Sequence, residues 1–244
     1  GAGDQPRPFN FSLGHNLAEQ PLIRVALDLL SVATSRGAIE QRRLSGVLLA
    51  GGWSAADSEA DERARLDAVM RQDLSCFTSG YALLQLAERL AQQGHELCPL
   101  TVAALRGLLE IASSGPHRRH ASEWADHFRA CLGAAGWPGE RPLSSPEFQA
   151  RAAFADVLDN LAALDALLGP IGATEAVRRL NQICRQRIFQ PETRGNPNIQ
   201  ILGVLESAGL SFDALWVMGM NDDTWPPAPR PNPLLPATVQ REAG

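Results

Sequence analysis

The sequence predicts a mainly α-helical protein that ends in a small α/β segment. Its 244 residues are 45% hydrophobic and 20% charged, which is the composition of a globular chain. Apolar residues recur at helical spacing up to about residue 189, and the period changes after the polar stretch 191–198. We therefore expect a multi-helix region over 1–190, a linker over 191–198, and a partial α/β segment with a short parallel sheet over 199–244.

Caps and helix breakers mark the individual helices. A proline at the first helical position begins a helix predicted over 21–33, and a second helix predicted over 41–50 stops at Gly51 and Gly52. The third is predicted to open at Ser54, because a serine cap and acids precede the arginines in the order that suits a helix dipole. Further helices are predicted over 80–93, 100–112, 122–135, 145–168 and 174–188.

Two apolar stretches near the end of the sequence predict strands. Residues 198–205 ("NIQILGVL") and 212–219 ("FDALWVMG") are apolar on both faces, as in the centre of a parallel sheet. We expect 212–218 to be a buried strand parallel to 199–204, ended by Gly219 where a side chain would collide with the next turn. Two strands cannot form their own core, and the chain begins with Gly1. We therefore expect an internal piece of a longer protein.

The absence of lysine excludes several chemistries. All 22 basic residues are arginine, whereas a P-loop needs a lysine at the phosphates and Schiff-base enzymes need one as nucleophile. We also find no convergent carboxylates or nucleophile–base pair, so we expect no catalytic residue, no metal and no cofactor in this chain. The net charge of −5 provides no global basic field to attract nucleic acid.

The cysteines indicate a cytoplasmic protein. Cys76, Cys98, Cys131 and Cys184 are far apart and form no CxxC motif, which favours reduced, partly buried thiols over disulfides or a metal site. No apolar run approaches membrane-spanning length, so no membrane association is expected.

The best candidates for nucleic-acid contact are five arginines near the end of the helical region. Arg178 and Arg185 are seven residues apart and share one helix face, and arginine suits bidentate contact with phosphate. An exposed helix with Glu175 and Glu192 as partial counterions is the alternative. The full set is Arg178, Arg179, Arg185, Arg187 and Arg194.

Two other clusters favour structural roles. His117, His120 and His127 lack the spacing of a zinc module and lie beside two arginines, so a solvated helix start is favoured over a metal site, with phosphate contact as an alternative. Asp222 and Asp223 are adjacent and point apart, which favours a turn over a metal pair. The nearby Trp225 either packs under this turn or offers a surface for base stacking.

Residues 205–226 ("LESAGLSFDALWVMGMNDDTWP") resemble the motif V region of UvrD-like helicases, most closely the AddB-type (RexB-like) helicase–exonuclease proteins. The resemblance implies that 199–244 belong to a RecA-like second helicase domain and that residues from about 10 to 190 are its helical insertion. The residues matched to the motif are Ala208, Gly209, Leu210, Gly219, Asn221, Asp222, Trp225 and Pro226.

Departures from the family pattern imply an inactivated helicase fold. Family members carry a histidine and a Lys-Gly-Leu-Glu run where this chain has Leu205, Ala208 and Ser211. The resemblance then implies a non-catalytic region that holds DNA during recombinational repair. Its partners would be DNA, the rest of the parent protein with its exonuclease domain, and a helicase subunit. A protein-docking scaffold that touches no DNA is the alternative, and a small-molecule enzyme with a helical pocket is a third hypothesis.

Overall fold

Helices make up most of the described part of the chain, as the sequence predicts. The computed structural model describes residues 9–11, 14–35, 37–192, 198–219, 221 and 236–242. No described helix is long and apolar enough to cross a membrane. The helices are α1 (Pro21–Thr34), α2 (Gln41–Leu49), α3 (Ala60–Asp73), α4 (Gly80–Gln92), α5 (Pro99–Ser113), α6 (Ala121–Ala134), α7 (Ser145–Ala162), α8 (Ala173–Gln186) and α9 (Ala237–Glu242).

Short strands pair two by two and form no larger sheet among the described residues. One pair is parallel, β1 with β8, and the other three pairs are antiparallel, β2 with β7, β3 with β4 and β5 with β6. In two of the pairs, β3–β4 and β5–β6, both strands lie just before a helix, so each of these two pairs brings two distant helix starts together. The strands are β1 (Phe9–Phe11), β2 (His15–Asn16), β3 (Ile39–Glu40), β4 (Phe77–Thr78), β5 (Arg118–Arg119), β6 (Ile171–Gly172), β7 (Ile188–Phe189) and β8 (Ile199–Ile201).

Helix α1 is the centre of the hydrophobic core. It packs against α2, α5, α6, α7 and α8, and it buries residues on most of its circumference. A helix that is apolar on several sides needs neighbours on each of them, and this arrangement provides those neighbours. Phe128 of α6 and Phe154 of α7 are completely enclosed beside it.

Prolines and side-chain caps mark the starts of α1, α4, α5 and α7. Proline occupies the first turn of α1, α5 and α7. The Ser79 hydroxyl accepts a hydrogen bond from the Ala82 amide (3.2 Å) at the start of α4, and the Glu147 carboxylate accepts one from the Ser144 amide (2.9 Å) at the start of α7. These contacts satisfy amide groups that have no partner within the helix.

Helix α3 starts later than predicted. It begins at Ala60 rather than Ser54, because Ser54 adopts a positive φ of 46° and its amide donates to the Ala135 carbonyl (3.0 Å). The carboxylate of Glu59 is also used elsewhere, since it accepts the amides of Leu100 and Thr101 (2.8 Å each) at the start of α5. Tertiary contacts with other helices therefore determine this start.

The prediction of a buried strand over 212–218 is wrong. The backbone there is irregular, and Leu215, Trp216 and Met218 are 66%, 87% and 82% exposed. Apolar residues on both faces form a strand only beside a sheet and between covering layers, and no described strand pairs with this segment. Gly219 has a φ of +75°, but no described atom lies within 4 Å of the position a Cβ would take. A positive φ favours glycine at this position. The turn with which a side chain was expected to collide lies outside the described residues, so that expectation stays a prediction.

The chain divides into two units, Gly1–Leu202 and Gly203–Gly244. The linker predicted over 191–198 precedes this division, and its residues 193–197 lie outside the described part. The first of the two predicted strands, 199–204, corresponds to β8. Its partner is β1, to which it runs parallel, with Phe9 opposite Ile199. The described part of the second unit contains turns, the irregular segment and α9.

Thiol reagents should distinguish Cys76 from the other three cysteines. Cys76 is exposed, whereas Cys98, Cys131 and Cys184 are buried, and burial raises the pKa of each of these three thiols to about 12. Because the thiolate is the reactive form, a mass-spectrometric alkylation assay of the native protein should show one modified cysteine. Four should react after denaturation. Rapid modification of Cys131 or Cys184 in the native protein would contradict this arrangement.

Candidate nucleic-acid interface

The arginines predicted from the sequence lie mainly on α8, opposite its buried face. Ala176, Val177, Leu180 and Cys184 recur at three- and four-residue spacing and are buried in the core. This spacing anchors α8 against α1 and α7. Arg178 and Arg185 are consequently exposed on the other side of the helix.

Arg178 and Arg179 share one carboxylate. Arg178 makes a bidentate contact with Glu175, in which its Nε and Nη2 each lie 2.7 Å from a carboxylate oxygen. These hydrogen bonds lower the pKa of Glu175 to about 2. The Nε of Arg179 is also 2.7 Å from Glu175 but is not directed at the oxygen, so the contact is an ion pair without a hydrogen bond. One negative charge thus faces two positive charges.

The other predicted arginines occupy different environments. Arg187 forms an ion pair with Asp156 of α7 (2.8 Å), and it does not line the cleft described below. Arg185 makes no ion pair with any described residue and has no hydrogen-bond partner among them. Arg194 lies outside the described residues.

A cleft of about 730 Å³ contains both Arg178 and Arg185. Asn181 lies between them on the same face, since it is three residues after Arg178 and four before Arg185. The opposite wall is the C-terminal end of α1. The remaining residues that line the cleft are Ser31, Thr34, Ser35, Gly37, Thr174, Val177 and Gln182.

Hydrogen-bond donors dominate this cleft. The Thr34 hydroxyl already donates to the Leu30 carbonyl (2.7 Å), and the Ser35 hydroxyl donates to the Gly37 carbonyl (3.1 Å). By contrast, the amide groups of Asn181 and Gln182 have no partner among the described residues. The guanidinium of Arg185, the part of the Arg178 guanidinium that Glu175 does not occupy, and the two amides are suited to an anion with several oxygens, such as a phosphodiester.

A second cleft of about 730 Å³ shares Thr34, Ser35 and Gly37 with the first. It is lined by residues of β4, by the C-terminal end of α5 and by Ala173, the first residue of α8. Phe77 and Tyr81, two exposed aromatic residues, line it, as do Asp73 and Trp124. This cleft was not among the sites predicted from the sequence.

The motif V-like residues lie in the second unit. Residues 203–210 form consecutive turns, in which the amides of Glu206 and Ser207 donate to the Gly203 carbonyl (3.1 and 3.0 Å). Ala208, Gly209 and Leu210 are exposed, and Gly209 adopts a φ of +82°. Asn221 is exposed, whereas Asp222, Trp225 and Pro226 lie outside the described residues.

The histidines are not brought together as metal ligands. His120 precedes α6, and its amide donates to Glu123 (2.8 Å) as part of the helix cap. His127 lies on the buried face of α6 with its ring 5.4 Å from that of Trp124, and burial lowers its pKa. Within the described ranges, no group of three potential ligands could hold a metal ion.

The comparisons with known proteins leave the family open. No protein-family model, curated protein or solved structure matches the chain.

Proposed function

We propose that this chain is a non-catalytic, DNA-holding region of a helicase–exonuclease-like protein of the AddB type. It would act in the cytoplasm, in recombinational DNA repair, together with the rest of its parent protein and a helicase subunit. The resemblance of residues 205–226 to motif V supports the family. This support comes from the residue types alone, because the strand expected over 212–218 is not formed. The proposal includes the assignment of residues 199–244 to a RecA-like second helicase domain.

The observation that carries DNA binding is the cleft between α8 and the end of α1. It places Arg185, which has no ion-pair partner among the described residues, beside Arg178 and the side-chain amides of Asn181 and Gln182. Phosphate oxygens would be met there by charged and neutral donors at once. The net charge of −5 does not prevent the cleft from being basic, because several carboxylates are engaged at helix starts away from it. Glu59, for example, accepts two backbone amides at the start of α5.

Charge reversal in the cleft should strongly weaken DNA binding. At low ionic strength of about 50 mM, Arg178→Glu with Arg185→Glu should weaken binding of a labelled oligonucleotide by about tenfold or more, measured by fluorescence anisotropy. The matched control is Arg42→Glu with Arg43→Glu, which reverses two exposed arginines of α2. An equal loss from both pairs would show that only diffuse charge attracts the DNA.

We also propose that the chain has no enzymatic activity of its own. The absence of lysine and the replacement of the family's Lys and Glu by Ala208 and Ser211 support this. The purified chain should neither hydrolyse ATP nor cut DNA. Magnesium-dependent ATP turnover above that of a mock preparation would contradict this prediction.

A protein-docking scaffold is the second candidate, and an exposed apolar segment favours it. In the second unit, Leu205, Trp216 and Met218 are more than four-fifths exposed. Surface this apolar is typical of an interaction site. The two candidates differ in the anisotropy assay, since a scaffold without DNA contact would bind no oligonucleotide.

A further inference from the structure

The two clefts of the helical unit meet at the end of α1. Thr34, Ser35 and Gly37 line both of them. One cleft provides guanidinium and amide donors from α8, and the other provides exposed aromatic side chains. A ligand that crosses this junction would therefore meet a basic surface and an aromatic surface in succession.

The aromatic surface is formed by Phe77 and Tyr81. Phe77 belongs to β4, where it pairs with Glu40 of β3, and the residue is 59% exposed. Tyr81 lies in the first turn of α4, is 45% exposed, and its hydroxyl donates to the Leu109 carbonyl (3.2 Å). The hydrogen bond holds the ring in place, and the strand pairing holds the backbone of Phe77.

The carboxylate in this cleft indicates which part of a ligand would lie there. Asp73 lines the aromatic cleft and would repel a phosphate group. Ser75 and Ser79 are also part of its lining. A nucleobase suits this environment, since its face stacks on aromatic rings and its amino groups donate to a carboxylate.

We propose that the two clefts together bind single-stranded DNA. Its phosphates contact Arg178 and Arg185, and its bases stack on Phe77 and Tyr81. This inference depends on the proposed function, because the same arginines provide the phosphate contacts. It adds a preference for single strands, since the bases of a duplex are already stacked on one another and are not free to stack on protein side chains.

The substitution Phe77→Ala tests the stacking surface without changing any charge. It should weaken binding of a labelled oligo-dT strand by about tenfold, and leave the affinity for a duplex of equal length unchanged. Phe148→Ala is the matched control, because Phe148 lies on α7 and is exposed to a similar extent, 57% against 59%. Thermal unfolding of both variants checks that each remains folded.

The outcomes of this assay separate the two proposals. Unchanged single-strand affinity in Phe77→Ala, or tighter binding of duplex than of single strand, would overturn the stacking inference. The proposed function would survive that result if binding still required Arg178 and Arg185. If neither DNA form binds, both proposals are overturned.

Photocrosslinking gives an independent measurement on the unmodified protein. An oligonucleotide that carries iodouracil should crosslink to the aromatic side chain on which it stacks. Phe77 and Tyr81 lie in one tryptic peptide, 72–89, and Tyr81 is the single tyrosine of the chain. Mass spectrometry should find the crosslink in that peptide, and crosslinks confined to other peptides would overturn the inference.

Discussion

Replacement of Arg63 with alanine should lower the free energy of unfolding by about 3–5 kcal/mol. Arg63 lies on α3 and is only 2% exposed, although it carries a charge. Its guanidinium donates to the Thr101 hydroxyl (2.7 Å) and to the carbonyls of Trp53 (3.0 Å), Ala50 (3.1 Å) and Leu48 (3.3 Å). It also stacks on the Trp53 ring, 4.6 Å from its centroid.

The loss is large because alanine leaves several acceptors without donors. The Leu48 and Ala50 carbonyls mark the end of α2, and Thr101 lies in the first turn of α5, so Arg63 connects three helices. Unpaired polar groups and a cavity would remain in the core. Chemical denaturation followed by circular dichroism measures the effect.

The control is Arg65→Ala on the same helix. Arg65 is exposed, so its replacement should change the free energy of unfolding by no more than about 0.5 kcal/mol. If Arg63→Ala destabilised the protein by less than about 1 kcal/mol, the buried network could not be a main stabilising element.

Trp124→Ala should also destabilise the protein by about 3–5 kcal/mol. Trp124 of α6 is 2% exposed, and its ring centroid lies 5.5 Å from that of Phe128. Its indole N–H donates to the Ile171 carbonyl (3.0 Å). The substitution removes a large core side chain and leaves that carbonyl without its donor.

Trp216→Ala is the matched control for Trp124→Ala. The sequence predicts a similar loss for Trp216 as part of a buried strand, but its exposure of 87% now predicts a change within about 0.5 kcal/mol. Denaturation followed by circular dichroism compares the two variants directly. Equal losses would show that the segment 212–218 is buried in solution.

The helices could be predicted from the sequence because their signals are local. Pro21, Pro99 and Ser144 mark helix starts that the structure has within one residue of the predicted positions. The start of α3 was predicted too early, because the Ser54 amide donates to the distant Ala135 carbonyl and Glu59 caps another helix. Such contacts depend on the tertiary fold and leave no local pattern.

The strand over 212–218 could not be decided from its own residues. Apolar residues on both faces are typical of a central strand, but a strand also requires a neighbour with which to pair. β8 forms because β1 lies beside it, whereas no described strand lies beside 212–218. Residue pattern alone therefore predicted apolar character correctly and secondary structure incorrectly.

The α8 side of the candidate site could be predicted from the sequence, but the α1 side could not. The spacing of Arg178 and Arg185 placed them on one face, and Asn181 could have been found by the same spacing. The wall formed by Ser31 and Thr34 could not, since it comes from a helix more than a hundred residues earlier. Arg63 was missed because arginines are rarely buried, although its spacing of three and seven residues from Leu66 and Met70 places it on their face of α3.

The salt dependence of DNA binding tests the central claim most directly. If Arg178 and Arg185 contact phosphates, Arg178→Gln with Arg185→Gln should reduce the slope of log K against log salt concentration by about 0.7 for each arginine removed, with single-stranded DNA. Arg42→Gln with Arg43→Gln should leave the slope unchanged. An unchanged slope in the cleft variant would contradict direct phosphate contact by α8.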